Sequence, residues 1–314
     1  MPVFLNMMTT EQTLKIQTHV VSTIINFAKG LMTEDEDEET TDASSTKLME
    51  AYSKTLFENL IALLKKGMEQ NYEPLQEEVM NLLSVVAAII DTEFSKYYSV
   101  LVPIMTDILR NVPSTTMAQM TLRARTIEAL GFMIEAVTEE KATFVAGVTE
   151  ITTFLVTVLN SGLTTDDPQL TAIKETLAKI AGFLKEDFQQ FLPLILPTLV
   201  SDSKLDIDIK MESAELPKNT ENAGFTFKLK GLEGNQRLTM NTSALESKVA
   251  AFKLIHLISE NMGTSFAPFA ETVLPIVLEN TTYKFSGAVR KYSMKTLVNT
   301  LTAIGLPHSV TLFK

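Results

Sequence analysis

Few residues in this chain have the type and spacing to do covalent chemistry. There is no cysteine, which removes a thiol nucleophile, a disulfide framework and any thiolate-held metal. Three histidines, His19, His256 and His308, lie far apart along the chain. His256 sits within the apolar stretch Phe252-Lys253-Leu254-Ile255-His256-Leu257, where a packed or hydrogen-bonded imidazole is expected rather than a base. Gly231-Leu232-Glu233-Gly234 lacks the lysine and hydroxyl of a loop that cradles phosphate. No Gly-x-Ser-x-Gly elbow is present. Glu77 and Glu78 are neighbours on a helical stretch and do not face one another. No nucleophile, base and orienting group converge, so neither catalysis, a cofactor nor a metal is expected.

The chemistry on offer is that of charge. The net charge is −11, which argues against nucleic acid and anionic membrane as partners and favours a basic one. About half of it comes from six adjacent carboxylates, Glu34, Asp35, Glu36, Asp37, Glu38 and Glu39. Such a run repels itself and belongs in a solvated loop, here spanning 33–45; holding or competing with a basic partner is its functional alternative.

The elements behind these residues read as helices. Hydrophobic residues are 45% of the chain, enough to bury a core. Apolar positions recur at helical spacing over about 11–31, 46–69, 73–90, 95–112, 117–138, 142–160, 168–184, 188–201, 244–261, 266–280 and 285–304. Asp167-Pro168 is an N-cap acid before a first-turn proline, and Gly162 and Gly263 fall where helices should stop. The start carries no basic region followed by an apolar stretch, so no signal peptide is read there. The longest apolar run, Val85 to Ile90, is far too short to span a membrane. One segment, 203–243, is polar. Its alternation of Phe225, Phe227 and Leu229 with Leu238 and Met240 around Gly231 and Gly234 suits a small hairpin, but a loop is the preferred reading.

An internal repeat organises the rest. Phe94, Tyr97 and Pro103 are spaced +3 and +9, as are Phe188, Phe191 and Pro197, and Phe266, Phe269 and Pro275. A weaker copy starts at Phe144. The steps between copies match a repeat of 44 residues, with the polar segment inserted before the last. Two helices per 44 residues is the length of HEAT-type repeats. Each helix pair is apolar on more than one face and must stack on its neighbours, giving an all-α, right-handed solenoid of about five to six pairs over residues 1–314. Each Phe should pack between the helices of its pair and each Pro should bend its helix. A ligand box is the lesser reading of these aromatics, as a promiscuous groove is of the methionines, including Met117, Met120 and Met133.

Several stretches resemble the importin beta superfamily, in its importin-five branch. They are LKIQTHVVSTIINFAKGL, EFSKYYSVLVPIMTDIL, TLRARTIEALGFMIEAV, DDPQLTAIKETLAKIAGFLKEDFQQFLPLILPTL and LESKVAAFKLIHLI, in family order from about Leu14 to Leu297. Val289-Arg290 also stands where HEAT repeats often carry Val-Arg. The resemblance implies a piece of a longer nuclear import receptor that shuttles between cytoplasm and nucleus. It implies cargo with lysine-rich signals, release by Ran in its GTP form, and contact with phenylalanine–glycine nucleoporins. The main Ran-binding repeats of the family precede the stretch matched here. In the insertion, Phe225 and Phe227 stand where the family carries Trp and Phe, and they are the candidate contacts there. For a lysine-rich peptide, carboxylates with amide partners on the second helices are the candidates: Glu58, Asp107 and Glu150, with Asn59 and Asn160. Their alternative is an ordinary solvated helix face. A HEAT scaffold subunit outside transport shares this architecture and is the second functional reading.

Overall fold

The periodic segments form helices close to where their patterns begin and end. The structure, a computed structural model, describes residues 1–35, 38–41, 43–164, 166–205, 209–214, 224–227, 235–240 and 242–305. The helices are α1 (Pro2–Thr10), α2 (Leu14–Lys29), α3 (Ala43–Glu69), α4 (Glu73–Ile90), α5 (Ser95–Asn111), α6 (Met117–Glu135), α7 (Lys141–Leu159), α8 (Pro168–Leu184), α9 (Leu192–Ser203), α10 (Thr242–Met262), α11 (Ala270–Asn280) and α12 (Gly287–Ile304). Helix α1 has no counterpart in the sequence reading. Asp167 caps α8 as expected, its carboxylate accepting from the Gln169 N–H at 2.9 Å. The chain divides into two compact units: Met1–Leu163 with Asp167–Leu192, and Thr164–Asp166 with Pro193–Lys314.

In the first unit, α2, α4, α6 and α8 pack successively on one another. Helix α3 packs on α4, α5 on α6 and α7 on α8. Two ring contacts join the second layer. Phe57 of α3 meets Tyr97 of α5 at 4.8 Å between centroids, and Tyr98 of α5 meets Phe144 of α7 at 4.3 Å. In the second unit α12 packs against α10 and α11. Long-range side-chain hydrogen bonds repeat the period. Ser53 and Tyr97 are 44 apart, Arg123 and Gln169 46, Thr176 and Ile127 49, and Asn299 and His256 43. Each bond joins residues about one repeat apart.

The aromatic frame lies on tight 3-10 turns that lead into the second helices. Phe94, Phe188 and Phe266 are fully buried on the turns Asp91–Phe94, Lys185–Phe191 and Gly263–Phe269. Pro103, Pro197 and Pro275 lie inside α5, α9 and α11. Three residues before each Phe the backbone turns left-handed: φ is 44° at Asp91, 53° at Lys185 and 52° at Gly263. That conformation suits glycine and strains a side chain. Lys185→Gly is therefore expected to raise the stability of the first unit by about 1 kcal/mol. Urea unfolding followed by circular dichroism tests this, and an unchanged or lower midpoint would refute the strain. The weaker copy at Phe144 has no such corner, and its ring is half-buried against Tyr98.

Side chains near the helix starts close the corners. Gln17 Nε2 donates to Met8 O and Gln76 Nε2 to Gly67 O, each at 2.8 Å across nine residues. Arg123 donates to Leu109 O, to Val112 O at 2.8 Å and, through Nε, to Gln169 Oε1 at 2.7 Å. Arg290 Nη1 donates to Tyr283 O at 2.7 Å. A long donor in the first two turns thus takes up carbonyls at or just past the end of the preceding helix, which would otherwise be left without partners. This is the physical content of the Val-Arg pair.

Three findings differ from the sequence reading. The acidic run is not simply a loop: Met32–Asp35 (β1) pairs antiparallel with Glu38–Thr41 (β2), setting Thr33 opposite Thr40. Threonines in both arms favour extended backbone. Glu34, Asp35, Glu38 and Glu39 lie in these strands, while Glu36 and Asp37 fall outside the described residues. The polar insertion also holds strands where a loop was preferred. Ile209–Ala214 (β3) and Gly224–Phe227 (β4) both pair antiparallel with Asn235–Met240 (β5). The unread strand β3 explains the difference, because a lone two-stranded hairpin is marginal and a third strand supports it. Phe225 stands opposite Leu238, and Phe227 opposite Gln236. Leu229 and the glycines 231 and 234 lie outside the described residues.

The third difference concerns hydropathy. Thr138–Leu159 is long and apolar enough to cross a membrane by length and composition, at mean hydropathy 1.7. Its helix, α7, is held in the protein stack: Lys141 Nζ donates to Leu184 O at 2.6 Å and Phe144 meets Tyr98. Its threonines spend their hydroxyls on carbonyls four residues back, such as Thr152 on Val148 at 2.7 Å.

Candidate functional site

The sequence candidates lie in the second layer. Glu58 is exposed on α3 and Asp107 on α5. Asn59 is turned inward, its amide donating to Leu5 O at 3.3 Å. Glu150 on α7 accepts from Arg110 of α5 at 2.6 Å. Asn160 is exposed at the C-cap of α7. Asn59 and Glu150 are therefore already engaged by the chain itself. Between α5 and α7 lies a groove of about 210 Å³, lined by Val102, Pro103, Leu109, Gly147, Ile151 and Phe154, with the Arg110–Glu150 pair at its rim.

The other layer carries a charged ridge that the sequence reading missed. Helices α4, α6 and α8 are buried around most of their circumference, leaving one narrow stripe each. On α4 the stripe shows Glu77, Glu78 and Asn81; on α6 it shows Thr121, Arg125, Glu128, Phe132 and Glu135; on α8 it shows Glu175 and Lys179. Carboxylates outnumber cations, and both cations are paired within the chain. Arg125 bonds Glu128 at 2.8 Å, and its guanidinium is held above its usual pKa by that bond first, with Glu77 and Glu78 adding to it. Lys179 pairs with Glu135 and lies 4.0 Å from the centre of the Phe132 ring. Among the described residues, Glu77, Glu78 and Glu175 form no ion pair. The signal that could have found this ridge was the set Thr121, Arg125, Glu128, Phe132 and Glu135, four of them polar, spaced four and three along one face of the helix.

Among the described residues the histidines do not assemble a centre. His19 is exposed on α2. His256 is buried between α10 and α12, with Nδ1 3.3 Å from Asn299 Nδ2 and its ring stacked on Tyr292. Burial lowers its pKa, against the opposing pull of Glu260, so it is a neutral packed imidazole at pH 7. His308 lies outside the described residues. No group of three His, Asp or Glu able to hold a metal occurs among the described residues.

No protein-family model matches the chain. Curated proteins do, two of which follow. "Importin subunit beta-3" of Saccharomyces cerevisiae is 24% identical over 276 residues, covering 87% of this chain and 23% of that protein. "Probable importin-5 homolog" of Dictyostelium discoideum is 24% identical over 221 residues, covering 70% of this chain and 18% of that protein. The chain thus spans about a quarter or less of the relatives it matches. Among solved structures, Kap121p superposes with a TM-score of 0.76 at 22% identity, over 99% of this chain and 28% of that one. Kap121p has also been solved bound to Pho4p, to Nup53p and to RanGTP. Its likeness bears on the fold, an all-α solenoid. The sequence relatives, both named as importins, are similar to this chain over 87% and 70% of its length.

Proposed function

We propose that this chain is a cargo-binding portion of a nuclear import receptor that takes lysine-rich signals, and that it shuttles between cytoplasm and nucleus as part of that receptor. The observation that carries this reading is the acidic ridge across α4, α6 and α8. Lysine is a point charge on a flexible stem, so carboxylates stepped along a stack of helices read lysines stepped along an extended peptide. Glu77, Glu78 and Glu175 are the open positions. The complexes of Kap121p with Pho4p and with RanGTP support this reading. Glu58 and Asp107 form a second, smaller candidate surface in the other layer. The α5–α7 groove is of a size and polarity to take one phenylalanine side chain, which suits it to phenylalanine–glycine nucleoporins. Phe225 and Phe227 of the inserted sheet are candidates for touching Ran.

The test is fluorescence anisotropy with a labelled lysine-rich nuclear-localisation peptide at low and near-physiological salt, against a scrambled control. Micromolar binding that prefers the true signal at both salts is expected. Glu77→Lys with Glu128→Lys should weaken it at least tenfold, and Glu58→Lys with Asp107→Lys by less. Binding that ignores sequence and disappears with salt would mean attraction to a net charge of −11 and nothing more. The scaffold reading would then replace transport.

A further inference from the structure

Lys179 sets its ammonium between an aromatic ring and a carboxylate of the neighbouring helix. Its stem crosses from α8 to α6 beside Gly131, where a Cβ would stand 3.2 Å from Lys179 Cδ. Its ammonium then lies over the Phe132 ring at 4.0 Å and pairs with Glu135. A ring face and a carboxylate converging on one cation make an arrangement selective for a primary ammonium. The site opens to solvent, since the Glu135 side chain is 54% exposed and that of Lys179 24%. An ion pair so placed is weak and exchangeable. It lies on the same stripe as Arg125 and Glu128, one helical turn further along α6.

We propose that the Phe132–Glu135 pair is a lysine-binding subsite of the cargo ridge, and that Lys179 is its built-in competitor, displaced when a lysine-containing peptide docks. This rests on the reading of the ridge as the cargo surface. A tethered side chain competes at high effective concentration. Lys179 thus sets a threshold: a peptide with lysine in register with its neighbours on Glu77, Glu78 and Glu175 displaces it, and a stray cation does not.

The test uses the full chain and a fluorescein-labelled extended peptide carrying three lysines, with the same peptide bearing glutamine in their place as control. Lys179→Met keeps the apolar stem and removes the ammonium. It is expected to tighten binding of the lysine peptide about fivefold or more. Phe132→Leu added to Lys179→Met changes no charge and should abolish that gain. Circular dichroism melts confirm that both variants are folded. If the parent chain binds the lysine peptide and Lys179→Met binds no tighter, the subsite is refuted and the cargo reading stands. A gain that survives Phe132→Leu refutes it equally, because general electrostatics then explains the change. If no variant prefers the lysine peptide to its glutamine control, the cargo reading falls and the subsite with it.

Discussion

Arg123→Met is expected to destabilise the α5–α8 block by about 3 kcal/mol. The guanidinium is buried and serves three acceptors in two directions: Leu109 O, Val112 O and Gln169 Oε1. Burial pulls its pKa below the usual arginine range and Asp167 opposes that pull, so the charge is retained. Methionine fills the volume and leaves the acceptors without partners. Gln169 in turn is fastened to Asp167 and to Ser114, its Nε2 donating to Ser114 Oγ at 2.8 Å. The loss therefore spreads over both the α5–α6 and α7–α8 corners. Arg123→Lys should recover little, because one ammonium cannot reproduce the planar fork. Urea unfolding gives the magnitude, and hydrogen exchange at residues 109–112 gives the place. A neutral Arg123→Met would show that the corners are held by packing alone.

Gly131→Val is the second large effect, a loss of about 3 kcal/mol. Helices α6 and α8 approach closely here. A Cβ at 131 would meet Thr176 Oγ1 at 2.9 Å, and that hydroxyl is fixed by donating to Ile127 O at 2.9 Å. On an exposed helix, replacing glycine with alanine gains about 1 kcal/mol from backbone propensity. At this site contact outweighs propensity. Gly131→Ala together with Thr176→Ala removes the obstructing oxygen and should come back close to the parent stability. Thermal melts of the single and double variants check this, and a double variant as unstable as Gly131→Val would place the cause elsewhere.

Much of the architecture was legible because a repeat states its rule several times. The spacing Phe–aromatic–Pro at 94, 188 and 266 located three pairs, and the period reappeared as hydrogen bonds 43 to 49 residues long. The left-handed corners before those phenylalanines were not legible, because only Gly263 declares the conformation, whereas Asp91 and Lys185 adopt it under strain. The sheet of the insertion was half legible. Phe225 and Leu238 alternate as strands do, but β3, Ile209–Ala214, carries no strong pattern of its own. The site was the least legible part. Carboxylates on the second helices look equivalent in sequence to those of the ridge. What separates them is geometry: Glu150 spends its charge on Arg110, while Glu77 and Glu175 lie on stripes of neighbouring first-layer helices.

The corner locks have a consequence for how such a chain is made and remade. Gln17 reaches back nine residues to Met8, and Gln76 nine residues to Gly67. Each bend is settled by amino acids that leave the ribosome within moments of one another. The hydrogen bonds that join neighbouring modules reach about one repeat further. Ordering can therefore begin in any module and spread to its neighbours without waiting for distant parts of the chain. For the same reason a gene of this kind can gain or lose whole modules by duplication or deletion, and those that remain keep their shape.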